Sequence, residues 1–449
     1  ASQVDEKNNR AQQIWDIWSA APDTASDTIA RVIESPEFSN LAAVNLSRHC
    51  LLSMTGGDGA ESGSGEKIAL RMILSATEFN QQPVVRRFID QLADINEEVV
   101  KEIRELLAIG LPAEDLDLLS QGMDSIRAPL VELSELAKKV EASMDVVPVD
   151  AVRLNRLLEI ASRVTDLHWR YSSGRQGLGR ARFGLAVAPG TVAGWAASFP
   201  YNVFQSPVVL DFSNETPQIA AGLLEGHLRE TSESIALLRA ARLEIEQPAG
   251  LQFARDSLSQ LKWQDLTEEE RQICPPMLVI GDDGTFGGEA LAQVLWALSS
   301  DLPIKIVAFS DLDISGSTQD SRTNMAMLAI TGRTAFVTQT SISDTDHMYS
   351  SITKAIQYAG PALVRIHGAS PSRHGFDSSQ TIEAARQAVR SRTFPLFTYN
   401  PGAEGVHGTR LDLSGNENLA GAWGDDEMPY TPAHWAITED RFSAHFKPI

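Results

Sequence analysis

The residues best placed to do chemistry lie in Leu278-Val279-Ile280-Gly281-Asp282-Asp283-Gly284. An apolar run that reads as a β-strand delivers two adjacent carboxylates, flanked by glycines, at its carboxyl end, where open α/β sheets bind ligands. A carboxylate in that place can hold Mg²⁺, and the glycines let the backbone approach a diphosphate. A surface turn fits the same residues. The next strand ends in a second polar loop, Phe309-Ser310-Asp311-Leu312-Asp313-Ile314-Ser315-Gly316-Ser317-Thr318-Gln319.

These loops need a scaffold, and the pattern from residue 276 onward supplies one. Runs rich in Val, Ile and Leu at 277–280, 304–309, 335–340 and 362–367 alternate with helical stretches at 289–299, 324–329, 348–358 and 381–392. Nearly continuous apolar strands separated by helices predict a doubly wound parallel sheet covered on both faces. Residues 1–40 read as a helical arm whose Ile14, Trp15, Ile17 and Trp18 need something to pack on. Residues 41–402 read as the α/β domain, with a helical insertion at about 75–168 punctuated by Pro112, Pro129 and Pro148. Residues 403–449 read as a tail. The Gly- and aromatic-rich stretch 171–215 has the character of functional loops.

Composition narrows the function classes. With 59 acidic and 38 basic residues the formal net charge is −21, which disfavours nucleic-acid and anionic-lipid partners. Two cysteines, Cys50 and Cys274, exclude a disulfide framework, a cysteine-rich zinc site and an all-cysteine iron–sulfur cluster within the chain. Neither a signal peptide nor a membrane-spanning apolar run is visible, so the cytoplasm is the expected location. His347, His367 and His374 fall in one region and read as satisfied structural histidines, with His367 and His374 able to flank a site mouth.

The ordered set Val279-Ile280-Gly281-Asp282-Asp283-Gly284, Gly287-Gly288 with Gln293-Val294-Leu295, Ser315-Gly316-Ser317-Thr318-Gln319, Tyr358-Ala359-Gly360-Pro361-Ala362-Leu363-Val364 and Phe394-Pro395-Leu396-Phe397-Thr398-Tyr399-Asn400-Pro401 resembles the C-terminal thiamine-diphosphate-binding domain of pyruvate:ferredoxin (flavodoxin) oxidoreductases. The resemblance covers about 275–402 well and about 45–75 and 170–205 loosely. It implies thiamine diphosphate and Mg²⁺ as cofactors, held by Gly281, Asp282, Asp283, Gly284, Ser315 and Gly316. The metal ligands it implies are Asp283, Ser310 and the carbonyl of Leu312. Asp282 stands where the family has a glycine, and Ser315 where it has a metal-site Asn. The Trp-Ala-Asn-Ser loop of the family has its counterpart near Trp195, with Ala197 in place of the Asn; Ser198 and Asn202 are candidates for substrate contact.

The family's Cys-x-x-Cys-Gly-Glu reads Glu61-Ser62-Gly63-Ser64-Gly65-Glu66 here, and its later cysteine falls in His367-Gly368-Ala369-Ser370-Pro371. No iron–sulfur cluster is therefore expected in this chain. Two functions follow from the resemblance. One is a component of a 2-oxoacid:acceptor oxidoreductase that decarboxylates a pyruvate-type substrate, in an oligomer with other subunits or domains and an electron-acceptor protein. The other is a cofactor-less structural or assembly module of the same descent, which the missing cysteines, the added Asp282 and the lost Asn favour.

Overall fold

A computed structural model describes residues 2–35, 37–109, 150–175, 177–198, 204–312, 324–417 and 430–447. Among them runs one eight-stranded sheet. Its strands are β1 (Gly184–Val187), β2 (Val208–Leu210), β3 (Met277–Asp282), β4 (Ile304–Ser310), β5 (Phe336–Thr340), β6 (Ala362–His367), β7 (Phe397–Tyr399) and β8 (Leu411–Asp412). The spatial order is β2-β1-β3-β4-β6-β5-β7-β8. The first six strands are mutually parallel, whereas β7 runs antiparallel to β5 and β8 antiparallel to β7. The α/β class expected from the sequence is present, with an antiparallel edge added.

Both faces of the sheet are covered, which is why its strands are apolar at nearly every position. Met277 and Val279 face a core shared with the helices Thr216–Glu246 and Leu291–Ser299. Leu278 and Ile280, one residue out of phase, face a core shared with the helix Thr345–Gln357. This is the two-residue alternation of a strand with apolar layers on either side. Local signals fix the helix starts: Asp150, Asn324, Asp344 and Ser370 each accept a backbone N–H of the following helix.

The helix Gly65–Ile109 touches both layers. Leu70, Ile73 and Leu74 join one face, and Phe88, Leu92 and Leu107 join the other, with Pro83 between the two sets. The helix Ala151–Ser172 packs along it; Tyr171 meets Phe88 edge-on at 5.0 Å. These described ends of the segment 75–168 thus share the core of the sheet. Residues 110–149, including Pro112, Pro129 and Pro148, lie outside the described residues.

Chain order reverses between β1 and β3, since β1 leads outward to β2 while β3 leads the other way to β4. The crevice at the carboxyl ends of these strands is the place where such sheets bind ligands. Gly190 follows β1 and Asp282 closes β3, so both stand at that crevice.

Candidate functional site at the strand ends

In-register pairing of β3 with β4 sets Asp282 against Phe309, and pairing of β4 with β6 sets Ser310 against His367. Asp283, the first residue of the short helix Asp283–Gly287, is buried beside them. Of the residues expected to hold a cofactor, Gly281, Asp282, Asp283 and Gly284 therefore come together with Ser310. Ser315 and Gly316 lie outside the described residues, as does Asn202. Leu312 has a left-handed backbone, φ 52°, and its side chain packs on the small cluster of Phe394, Trp435 and Phe442.

The cation that Asp283 faces is a guanidinium. Arg365, in the middle of β6, donates from Nε to Asp283 Oδ2 at 2.7 Å, with Nη2 at 2.6 Å from the same oxygen. Its Nη2 also donates to Ser310 Oγ at 2.8 Å, and its Nη1 to Gln339 Oε1 at 2.7 Å. The guanidinium lies 5.3 Å from the centre of the Phe394 ring, which stacks on it. Gln339 in turn donates to the carbonyl of Pro395 at 2.7 Å. Among the described residues, Asp283 Oδ1 is buried without a hydrogen-bond partner.

Beside this pair lies a second charged network. Glu66 is buried, accepts Trp195 Nε1 at 2.8 Å and pairs with Arg373. Arg373 also reaches Asp311 Oδ2 at 2.7 Å. Asp282 Oδ2 accepts the backbone N–H of Thr191 at 2.6 Å, and a side chain at Gly190, whose φ is 128°, would collide with that carboxylate. Burial, and then the neighbouring Glu66, push the Asp282 carboxyl up to about 7. Burial likewise raises Glu66, against the pull of Arg373. Burial also acts to raise Asp311, but the His374 imidazole and the Arg373 guanidinium outweigh it and hold that carboxyl below its ordinary value.

The positions of the two cysteine motifs meet in space without cysteine. Glu61 accepts hydrogen bonds from Ser370 Oγ and from the backbone N–H of Ser372 at 3.0 Å, and Gly65 N–H donates to the carbonyl of Ala369 at 2.8 Å. Cys50 and Cys274 are buried in other parts of the core, where burial pushes their thiols up to about 12 and about 11. His347 is held by Thr340 Oγ1 at 2.9 Å.

No family model and no curated protein sequence matches the chain. Among solved structures it is similar to the 2-oxoglutarate:ferredoxin oxidoreductase from Magnetococcus marinus with 2-oxoglutarate, coenzyme A and succinyl-CoA bound, over 49% of this chain and 71% of that one, at 11% identity and a TM-score of 0.27. Among the described residues, no helix is long and apolar enough to cross a membrane.

Mg²⁺ bridging to a diphosphate requires near-octahedral oxygen ligands at about 2.0–2.1 Å. Here Asp283 and Ser310 already share one fixed cation. A divalent ion 4 Å from that guanidinium would meet a repulsion of ~8 kcal/mol at an effective dielectric constant of 20. The residues present do not fit a metal–diphosphate bridge between Asp283 and Ser310. Nor is Arg365 free for a phosphate, since Nε, Nη1 and Nη2 are all committed within the fold.

Sequence reasoning passed over Arg365, Arg373, Glu439 and Arg441. The signal for Arg365 was its place in Ala362-Leu363-Val364-Arg365-Ile366-His367, a lone charge inside an apolar strand, which must have a partner when buried.

Asp282→Asn is expected to stabilise the protein by roughly 1–3 kcal/mol at pH 8, because a buried acid with a raised pKa is costly once ionised. The folded value of about 7 lies above the ordinary 3.8, so the stability attached to the protonated form is lost as pH rises through this interval. Asn keeps an oxygen for the Thr191 N–H. Urea melts at pH 8 and pH 4 check it: the gap between variant and wild type should close at pH 4, and equal stability at pH 8 would contradict it.

Proposed function

We propose that this chain is a structural or assembly module of 2-oxoacid oxidoreductase type that works without thiamine diphosphate or Mg²⁺. One observation carries the proposal: Arg365 joins Asp283 to Ser310, so the two side chains that would hold the metal hold a guanidinium instead. Glu61, at a position where the resemblance calls for a cluster cysteine, bonds to Ser370 in the segment where the family has its later one, which supports the loss of redox chemistry as well.

A partner-binding role agrees with the N-terminal helix Ser2–Ala20, where Ile14, Trp15 and Ile17 are exposed. Other subunits or domains of a 2-oxoacid oxidoreductase assembly are the proposed partners, and an electron-acceptor protein would then dock on one of them. The rival function, a cofactor-loaded component for oxidative decarboxylation, requires Arg365 to vacate the site, breaking a buried ion pair.

Isothermal titration of the purified chain with Mg²⁺ and thiamine diphosphate separates the two. The proposal expects no saturable heat and no rise in Tm at millimolar cofactor. Saturable binding that disappears in Asp283→Ala would overturn it in favour of the enzyme component.

A further inference from the structure

We propose that His367, His374 and Glu439 form a binding site for a divalent metal of the zinc class, which ties the C-terminal segment to the end of the sheet. The three residues come from separate elements: His367 ends β6, His374 ends the short helix Pro371–His374, and Glu439 precedes the helical turn Asp440–His445. One ligand atom of each lies within 4.8 Å of the others. All three side chains are essentially inaccessible, at 0%, 1% and 1% exposure.

Two of the three inward-facing atoms have nothing to bind. Among the described residues, His367 Nε2 and Glu439 Oε1 are buried without hydrogen-bond partners. His374 Nδ1 stands 4.0 Å from that Glu439 oxygen and accepts a long hydrogen bond, 3.4 Å, from the N–H of Ser370, which an ion would displace. Two imidazole nitrogens and a carboxylate oxygen therefore face one another as acceptors, and the Ser370 N–H serves only one of them. Such a cluster needs a cation, a proton or a buried water.

Two of the three outward-facing atoms are anchored as metal ligands require. His367 Nδ1 faces the carbonyl of Ser310 at 3.1 Å; a carbonyl only accepts, so the proton sits on Nδ1 and the lone pair on Nε2. His374 Nε2 faces Asp311 Oδ1 at 3.5 Å, short of a hydrogen bond; a small shift would give the carboxylate–histidine arrangement that orients metal-bound imidazoles. Arg441 Nε holds Glu439 Oε2 at 2.7 Å and leaves Oε1 for the ion.

The neighbouring ion-pair network joins three carboxyl groups, Glu66, Asp311 and Glu439, to two guanidiniums, Arg373 and Arg441. Two nitrogens and one oxygen form a ligand set for Zn²⁺ and its neighbours, not for Mg²⁺ or Ca²⁺. Tetrahedral Zn²⁺ holds its ligands ~3.3 Å apart, which small side-chain rotations from the present spacing would reach. Three protein ligands leave a fourth position for water. Enclosed this deeply, the ion would act as a clamp that holds Trp435 and Phe442 against Phe394.

The test uses the whole chain, stripped with a chelator and titrated with Co²⁺ and then Zn²⁺. Expected are tetrahedral Co²⁺ absorption bands saturating at one ion per chain, their bleaching by Zn²⁺, and a Tm rise of ~5 °C with Zn²⁺. His367→Gln and Glu439→Gln should each abolish the bands. Absence of bands together with an unchanged Tm in the stripped wild-type chain would overturn the proposal, and this measurement does not depend on the variants folding. Bands that persist in both variants would overturn the assignment to these residues. Mg²⁺ with thiamine diphosphate is not a ligand of this site, so the outcome is independent of the cofactor titration above.

Discussion

Arg365→Leu is expected to lose about 3–5 kcal/mol of folding stability, the range for removing one partner of a buried ion pair. The cost arises less from the lost attraction than from what remains: Asp283 stays buried with no cation, and Ser310 Oγ and Gln339 Oε1 lose their donor. Arg365→Lys should recover only part of this, because one ammonium cannot span three acceptors in the plane of a guanidinium. Asp283→Asn combined with Arg365→Leu should restore more than half, since the stranded charge is then gone. Urea unfolding of wild type, Arg365→Leu, Asp283→Asn and the double variant at pH 7 gives the coupling energy directly, and additive effects would show that the two side chains do not act as a pair.

Arg365→Leu also probes the proposed loss of cofactor binding. With the guanidinium gone, the oxygens of Asp283 and Ser310 face an uncompensated site, so millimolar Mg²⁺ should recover part of the lost stability by mass action while leaving wild type unaffected. Equal Mg²⁺ response in both proteins would mean that the guanidinium does not occupy the cation's place.

The sequence conveyed the central sheet because its physics is local. β3, β4 and β6 are buried on both sides and so are apolar at almost every residue, a pattern visible without knowing the partners. β1 was hidden because Gly184–Val187 is short and lies in a stretch dominated by glycine and aromatic residues, which reads as loop. β7 and β8 are short edge strands whose antiparallel pairing depends on contacts distant in sequence. The surroundings of the candidate site were hidden for a related reason. Asp283 and Ser310 were found from their strand ends, but Arg365, which bonds to both, lies 82 and 55 positions further on. Only the oddity of a charge within an apolar strand hinted at it. His367 and His374 read as satisfied histidines, and each is satisfied on one nitrogen only, by the carbonyl of Ser310 and the N–H of Ser370.

Lys305 is the second lone charge in a central strand, and its behaviour should be the reverse of Arg365's. Arginine keeps its proton and needs a counter-charge; lysine can give its proton up. Lys305 is fully buried in β4, and its Nζ donates to the carbonyls of Tyr358 and Gly360 at 2.6 and 2.7 Å, tying the segment that follows the helix Thr345–Gln357 to β4. A neutral amine has two N–H donors, and two carbonyls take them; the third proton of an ammonium would have no acceptor among these contacts. Burial accordingly pushes the Lys305 amine down to about 7 from its ordinary 10.5. Between those values the unfolded chain carries a proton that the folded chain does not, so stability rises with pH across this window, at up to ~1.4 kcal/mol per unit. Lys305→Met leaves the two carbonyls without a donor and removes the titration. Measured as the difference in unfolding free energy, wild type should gain on Lys305→Met by roughly 3–4 kcal/mol from pH 7 to pH 10. Parallel curves for the two proteins would mean that the buried nitrogen keeps its charge, and that the low-dielectric core around β4 tolerates an ammonium held by carbonyl dipoles alone.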